Sequence, residues 1–271
     1  MDPRPIGVFD SGVGGLTVFQ ALEAALPGEA LVYLGDTARV PYGSKSAETV
    51  IRYTLEAAHF LRSCQVKMLV VACNTASSVA LGDVAKEAEV PVLGVILPGA
   101  RRAAELSRSG RIGVIGTRAT IASGAYPRAI HALRPEAEVE SHPCPLFVPL
   151  AEEGWTDNEV ARRVAETYLA PLRTREVDTL VLGCTHYPLL REVIGQVMGP
   201  DVRLVDSAES VAAEAGDHLS RHGDLAAPRG GTGRDGHHFF VTDAPAPFVA
   251  VAERFLGRPI ERLERARIEG E

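Results

Sequence analysis

The sequence has no run of about 18 consecutive apolar residues, the length that a membrane-spanning helix requires. Residues 1–6 show no charged region followed by an apolar stretch, so we expect no targeting segment. The formal net charge is -7 and no long basic run is present, which argues against nucleic acid or an anionic membrane as a partner. These absences predict a soluble protein that binds neither.

Cysteine is scarce and aromatic residues are few. The four cysteines, Cys64, Cys73, Cys144 and Cys184, are widely spread and form no Cys-x-x-Cys pair, which excludes a disulfide scaffold. Aromatic residues make up 6% of the chain and hydrophobic residues 46%, as is typical of a globular α/β protein. We therefore predict a protein of the reducing cytoplasm, with one large domain or two smaller ones in its 271 residues.

Two of the cysteines end short apolar runs in segments that resemble each other, VVACNTAS from Val70 and VLGCTHYP from Val181. Such a run, followed by a small residue and a helical pattern, predicts a buried parallel strand, a turn and a helix. Each thiol then lies at the carboxyl end of a strand, where α/β sheets bind ligands and where a helix N-terminus favours a thiolate. Cys73 and Cys184 thus predict chemistry delivered from two sides.

Strand-like runs alternate with helical stretches in two successive sets. IGVFDS from Ile6 matches IGVIGT from Ile112 at nearly the spacing that separates the two cysteine segments, which predicts two similar α/β lobes. We also expect a helix over 208–219, a glycine-rich loop over 229–236, a strand over 238–242 and a helix over 247–256, all packed onto one of the lobes. The predicted strands cover residues 6–9, 30–34, 68–72, 91–94, 111–115, 138–140, 179–183 and 202–205.

Other polar clusters follow the predicted strands, and for each of them an ordinary structural role is an alternative to a ligand-binding role. The turn from Asp10 to Gly15 lacks the third glycine of a dinucleotide fingerprint, since position 17 is Thr17, although Asp36 after the second strand keeps that hypothesis open. The same turn is alternatively an ordinary helix cap, and so are Asn74, Thr75 and Thr185. A zinc site built from Cys73, Cys184, His186 and Asp10 lacks the close ligand pairs that zinc sites usually have, so we predict no metal.

Six motifs, taken together, resemble the bacterial glutamate racemases of the aspartate/glutamate racemase family. The resemblance implies an isomerase that needs no cofactor, interconverts L-glutamate and D-glutamate, and supplies D-glutamate for peptidoglycan and thus for the cell wall and cell shape. It also implies two pseudosymmetric lobes with the active site in the cleft between them, formed by residues 1–97 with 208–271 and by residues 98–207, and commonly a homodimer. The motifs are FDSGVGG from Phe9, YLGDTARVPYG from Tyr33, ACNTA from Ala72, GVIGT from Gly113, CPLFVPLAEEG from Cys144 and LGCTHYPLL from Leu182.

The resemblance also implies roles for individual residues. Cys73 and Cys184 are the catalytic pair, the bases toward D-glutamate and L-glutamate respectively, and Asp10 and His186 tune them or relay protons. Asp36 and Glu152 are candidate assisting residues. The implied substrate-binding residues are Asp10, Ser11, Tyr42, Gly43, Asn74, Thr75, Thr185 and His186.

Paired thiols suit inversion at a carbon atom, because one can remove a proton from one face while the other donates a proton to the opposite face. A free thiol has a pKa of about 8.5, close enough to neutrality for one of the two to be charged. Two alternatives remain open at this point: an aspartate racemase with a shorter pocket, and a non-catalytic two-lobed protein that binds a small molecule.

Overall fold

The computed structural model describes residues 1–227, 236–243 and 246–268. The predicted glycine-rich loop over 229–236 therefore lies almost entirely outside the described residues. In chain order the strands are β1 (Ile6–Asp10), β2 (Leu31–Gly35), β3 (Met68–Val71), β4 (Val92–Gly94), β5 (Arg111–Gly116), β6 (Glu138–Pro143), β7 (Thr179–Gly183), β8 (Arg203–Asp206), β9 (His238–Val241) and β10 (Leu263–Arg265).

Twelve α-helices are described among these residues, and none of them is long and apolar enough to cross a membrane. Short 3₁₀ turns occur at Thr37–Arg39, Tyr42–Ser44 and Tyr187–Leu190. The helices are α1 (Leu16–Ala25), α2 (Ala47–Ser63), α3 (Asn74–Val79), α4 (Leu81–Glu87), α5 (Ile96–Leu106), α6 (Arg118–Ala122), α7 (Ala125–Leu133), α8 (Phe147–Glu152), α9 (Glu159–Thr174), α10 (Arg191–Met198), α11 (Ser207–His222) and α12 (Ala246–Leu256).

The strands form two parallel sheets, which confirms the predicted α/β fold class. The first sheet has the order β10-β9-β2-β1-β3-β4 and the second β6-β5-β7-β8. The order β2-β1-β3-β4 in the first sheet thus recurs as β6-β5-β7-β8 in the second, as expected from the matching sequence segments. The strands β9 and β10 extend the first sheet beside β2, so the end of the chain returns to the sheet formed by its beginning. The exact lobe boundaries at residues 97 and 207 stay a prediction.

Central strands were the easiest to predict, because both of their faces are covered. Every residue of β1, β2, β3 and β7 is buried, which produces the continuous apolar runs seen in the sequence. The edge strand β6 is mostly half-buried and polar, and it extends to Pro143 rather than ending at Glu140. Its carboxyl-end proline lies on an edge strand, where a missing N–H is tolerated.

The segment after Cys184 forms the predicted turn and then the predicted helix. Residues Tyr187–Leu190 form a 3₁₀ turn and the α-helix begins at Arg191. The Tyr187 N–H donates to the Cys184 carbonyl at 3.1 Å, and the Tyr187 side chain is fully buried. This tight turn fixes the backbone that carries Cys184.

Asp178 precedes β7 and ties the loop before β5 to it. Its carboxylate accepts hydrogen bonds from the Ser107 hydroxyl at 2.6 Å, from the Arg108 and Ser109 N–H groups at 2.8 and 2.6 Å, and from the Thr179 hydroxyl at 3.0 Å. Burial raises the pKa of Asp178, but these hydrogen bonds outweigh burial and hold that pKa well below its usual range. The carboxylate is therefore stabilised by the folded state.

We expect Asp178→Asn to lower the free energy of unfolding at pH 7 by about 2 kcal/mol, because a charged acceptor of several hydrogen bonds is lost. The stabilisation by Asp178 is present above the unfolded pKa of about 3.9 and is lost as pH falls below it. The deficit of the variant measured by urea unfolding should therefore shrink at acid pH. Asp201→Asn, at an exposed position, is the control; a deficit that does not change with pH would contradict the assignment.

Candidate active site

A cavity of about 430 Å³ lies at the carboxyl ends of strands from both sheets. The loops after β1, β2 and β3 contribute one wall, and the segments after β5, β6 and β7 contribute the other. Cys73 and Cys184 both line it, one from each sheet. The remaining lining residues are Ser11, Gly12, Val40, Pro41, Tyr42, Gly43, Ser44, Asn74, Thr75, Thr117, Arg118, Pro145, Val148, Pro149, Glu152, Thr185 and His186.

Cys73 lies between β3 and α3 and is the N-cap of that helix. The Ala76 N–H donates to its sulfur at 3.5 Å, and the thiol lies 3.4 Å from the Ser11 hydroxyl, to which it donates. The alternative that Asn74 or Thr75 caps the helix is therefore excluded, because the Cys73 thiol occupies that position. Burial, and then the nearby charge of Asp10, raises the pKa of Cys73 to about 12. At neutral pH Cys73 is a protonated thiol.

Cys184 lies beside a cation. Its sulfur is 3.9 Å from Nδ1 of His186, and Nε2 of His186 is 3.0 Å from a carboxylate oxygen of Glu152. Burial lowers the pKa of His186, but the hydrogen bonds to Cys184 and Glu152 outweigh burial and raise it to about 10. The imidazole is therefore charged at neutral pH, and Nδ1 directs this charge toward the Cys184 sulfur. The surroundings of the two thiols thus differ in sign: a carboxylate near Cys73 and an imidazolium near Cys184.

Two of the expected acidic residues lie behind the cavity rather than in its wall. Asp10 is fully buried; its carboxylate accepts the Gly12 N–H at 2.9 Å and lies 3.5 Å from the Thr185 hydroxyl. Burial raises the pKa of Asp10, against the opposing effect of the His186 charge. Asp36 is also fully buried and accepts the Tyr42 hydroxyl at 2.5 Å, so it holds a residue that lines the cavity.

The alternative that Asp10 or Ser11 caps the first helix is excluded, because α1 begins after Gly15 without a side-chain cap. Gly14 in this loop instead allows the loop to approach the segment after β7 closely. A Cβ atom on Gly14 would lie 2.2 Å from the Thr185 hydroxyl and 2.4 Å from Nδ1 of His186. Any larger residue would push the loop away from the histidine.

Hydroxyl and amide groups from both sides face the cavity. The Thr75, Thr117 and Thr120 hydroxyls lie 2.9 to 3.1 Å from one another and join α3 to the start of α6. Asn74 is 2% exposed, and within the described part of the chain its Nδ2 atom has no hydrogen-bond partner. Of these groups, the Thr75 and Thr117 hydroxyls and the Asn74 amide line the cavity and are suited to hydrogen-bond a carboxylate.

The wall contains residues that the sequence interpretation did not name. Thr117 occupies the place in IGVIGT that Ser11 occupies in IGVFDS, so the internal repeat contained the signal for it. Val148 and Pro149 lie within the CPLFVPLAEEG motif, which therefore contained a signal for them, whereas Arg118 lies in no motif. The described residues contain no group of three or more His, Cys, Asp or Glu side chains arranged to hold a metal ion.

The helix α12 reaches this site from a distant part of the chain. The Phe255 ring meets the His186 ring edge-on, with 5.2 Å between centroids. Arg254 donates to the backbone carbonyl of Glu152, the residue that pairs with His186. The chain's C-terminal segment thus packs against the histidine beside Cys184.

Comparisons with known proteins agree with this geometry. Residues 6–215 match the family described as Asp/Glu/Hydantoin racemase. A glutamate racemase from Geobacter metallireducens is 57% identical over 268 residues, which are 99% of this chain and 98% of the relative. The crystal structure of glutamate racemase isoform RacE1 from Bacillus anthracis has a TM-score of 0.93 at 40% identity and 98% coverage of both chains. That of a Francisella tularensis glutamate racemase in complex with D-glutamate has a TM-score of 0.92 at 38% identity and 100% coverage of both.

Proposed function

Because this chain belongs to the Asp/Glu/hydantoin racemase family, we propose that it is a glutamate racemase, an isomerase that interconverts L-glutamate and D-glutamate. The observation that carries the proposal is the placement of two buried thiols, from different sheets, in the wall of one cavity. The product D-glutamate is used in peptidoglycan synthesis, the role known for this family.

In the proposed mechanism each thiol serves one face of the substrate carbon. The Cys184 thiolate, stabilised by the His186 imidazolium, removes the Cα proton of L-glutamate, and the Cys73 thiol donates a proton to the opposite face. D-glutamate results, with Cys73 left as the thiolate that starts the reverse reaction. Asp10 and Ser11 assist Cys73, Asp10 through its nearby charge and Ser11 through its hydrogen bond to the thiol. Glu152 orients the His186 ring through its contact with Nε2.

The Cα proton is far less acidic than a thiol, so the site must stabilise the charge that develops as the proton leaves. No cofactor is invoked; the donors of Ser11, Asn74, Thr75 and Thr185 are the proposed partners of the substrate carboxylates. In acyl-transfer enzymes the loss of one such donor raises the barrier by about 3 to 4 kcal/mol. Gly43 and Tyr42 complete the proposed binding wall, and exclusion of water strengthens every interaction in it.

Circular dichroism of the purified protein with each enantiomer, and with no cofactor added, tests the function. We expect L-glutamate and D-glutamate to lose their signal and to converge on zero, at the equimolar mixture. Faster loss with aspartate would support an aspartate racemase instead. Binding of glutamate with a stable signal would support a non-catalytic binding protein.

The proposal extends to the setting in which the enzyme works. We propose that it works in the cytoplasm, because its four cysteines are free thiols, and that it is a homodimer, the assembly that the resemblance to glutamate racemases implies. Sedimentation equilibrium at micromolar concentration should give twice the mass of one chain; the mass of a single chain would contradict the dimer.

A further inference from the structure

The Asn74 carboxamide has a hydrogen-bond partner at its oxygen atom but none at its nitrogen atom among the described residues. Its Oδ1 atom accepts a hydrogen bond of 2.7 Å from the Tyr126 hydroxyl, whereas its buried Nδ2 has no partner among the described residues. A buried N–H group without a hydrogen-bond partner destabilises the protein. A ligand oxygen in the cavity, which Asn74 lines, would supply the missing acceptor.

The orientation of this amide decides whether the cavity presents a donor or an acceptor. Rotation by half a turn would exchange the two ends of the carboxamide and turn Oδ1 toward the cavity, where it would repel a carboxylate. Tyr126 prevents this while its hydroxyl donates to Oδ1. Burial raises the pKa of Tyr126, so its hydroxyl keeps its proton, and the Ser207 side chain also hydrogen-bonds to that hydroxyl.

The Tyr126 ring itself has little room to move. A Cβ atom on Gly183, directly before Cys184, would lie 3.0 Å from one edge of the ring, and one on Gly99 would lie 3.4 Å from its hydroxyl. Tyr126 belongs to α7, packed against the second sheet, while Asn74 begins α3 after a strand of the first sheet. One hydrogen bond therefore joins the backbone around Cys184 to the amide next to Cys73.

We propose that Tyr126 is a positioning residue for racemisation, which acts by fixing the Asn74 carboxamide with Nδ2 toward the substrate carboxylate. This inference rests on the proposed function, since it assumes that Asn74 contacts the substrate. Charge grows on the carboxylate as the Cα proton leaves, so loss of the tyrosine hydroxyl should lower kcat more than it raises KM.

A double-mutant cycle tests the proposal. Tyr126→Phe alone should lower kcat/KM for glutamate about tenfold, while in an Asn74→Ala background the same substitution should change it less than twofold. Thr54→Val is the matched control, because it removes another fully buried hydroxyl, bonded at 2.7 Å to the Val50 carbonyl within α2 and away from the cavity. Its kcat/KM should stay within about threefold of that of the unmodified protein, and thermal unfolding of all variants should show that each is folded.

Calorimetric binding of glutamate to the same variants separates this inference from the proposed function. Absence of racemisation by the unmodified protein would refute the proposed function, whereas the binding cycle would still report whether Tyr126 acts through Asn74. Unchanged kcat/KM and unchanged affinity in Tyr126→Phe would overturn the inference. So would an equal loss of kcat/KM with and without the Asn74 side chain, since that is the result of a purely structural role.

Ser207→Ala, which removes the second partner of the tyrosine hydroxyl, should show a smaller loss of kcat/KM that also depends on Asn74.

Discussion

Replacement of Cys73 or Cys184 by alanine is expected to lower kcat for racemisation by roughly 10⁴-fold, the upper end of what a positioned proton-transfer group contributes. In the proposed mechanism each enantiomer presents its Cα proton to one wall of the cavity only, and each wall holds one thiol. Neither sulfur can do the work of the other, because they belong to different sheets. The loss is therefore expected for both substrates with either variant.

The remaining two cysteines supply controls for this experiment. Cys144 is fully buried in the second half of the chain and does not line the cavity, and Cys64 is half-buried at the end of α2. Cys144→Ala and Cys64→Ala should keep kcat within about threefold of the unmodified protein, as measured by circular dichroism. Near-normal turnover by Cys73→Ala or by Cys184→Ala would contradict the two-thiol mechanism.

Replacement of His186 by asparagine is expected to lower kcat/KM about 10²- to 10³-fold, within the range for an assisting acid or base. The substitution removes the cation 3.9 Å from the Cys184 sulfur and deprives Glu152 of its imidazolium partner. The two glutamate enantiomers have equal free energies, so kcat/KM must fall equally in both directions. A difference between the directions can appear only in kcat and KM separately.

The raised pKa of His186 also predicts the direction in which activity changes with pH. The pKa of His186 is raised to about 10, so its charge is complete at neutral pH and is lost as pH rises through that value. The stabilisation that the pairing gives to the folded state is complete below the unfolded pKa of about 6.5 and declines as pH rises from there to about 10. Activity of the unmodified protein should therefore decline near pH 10.

His59→Asn is the control for the histidine substitution. The His59 ring lies 3.1 Å from the Glu87 carboxylate on the surface, and both side chains are about half exposed. The substitution should therefore leave the pH profile of activity unchanged. Wild-type kcat/KM in His186→Asn, or an alkaline limb that survives the substitution, would show that the imidazolium does not support the Cys184 thiolate.

Most of the strands could be predicted from the sequence, because parallel strands that are covered on both faces produce continuous apolar runs. The same runs ended at Cys73 and Cys184, so the two thiols were predictable with their strands. Edge strands were harder: β10 has three residues, two of them exposed, and shows no apolar run. The polar strand β6 was predicted too short for the same reason.

The site was predicted residue by residue only where a motif contained it. Tyr126 lies in a helix without a motif, and its contact with Asn74 spans 52 positions of the chain. The contact of Phe255 with His186 likewise depends on the return of the chain's end to the first sheet. Such contacts arise from packing between distant segments, which local patterns do not encode. The burial of Asp10 and Asp36 behind the wall has the same origin.

The most direct test of the two-thiol mechanism follows the Cα hydrogen during turnover in D₂O. With protiated L-glutamate or D-glutamate as substrate, we expect the product enantiomer to carry deuterium from the first turnovers, while unreacted substrate keeps its protium. This result follows if one thiol removes the proton and a different thiol, equilibrated with solvent, delivers the new one. Product that retains the original protium, or substrate that gains deuterium as fast as product forms, would contradict it.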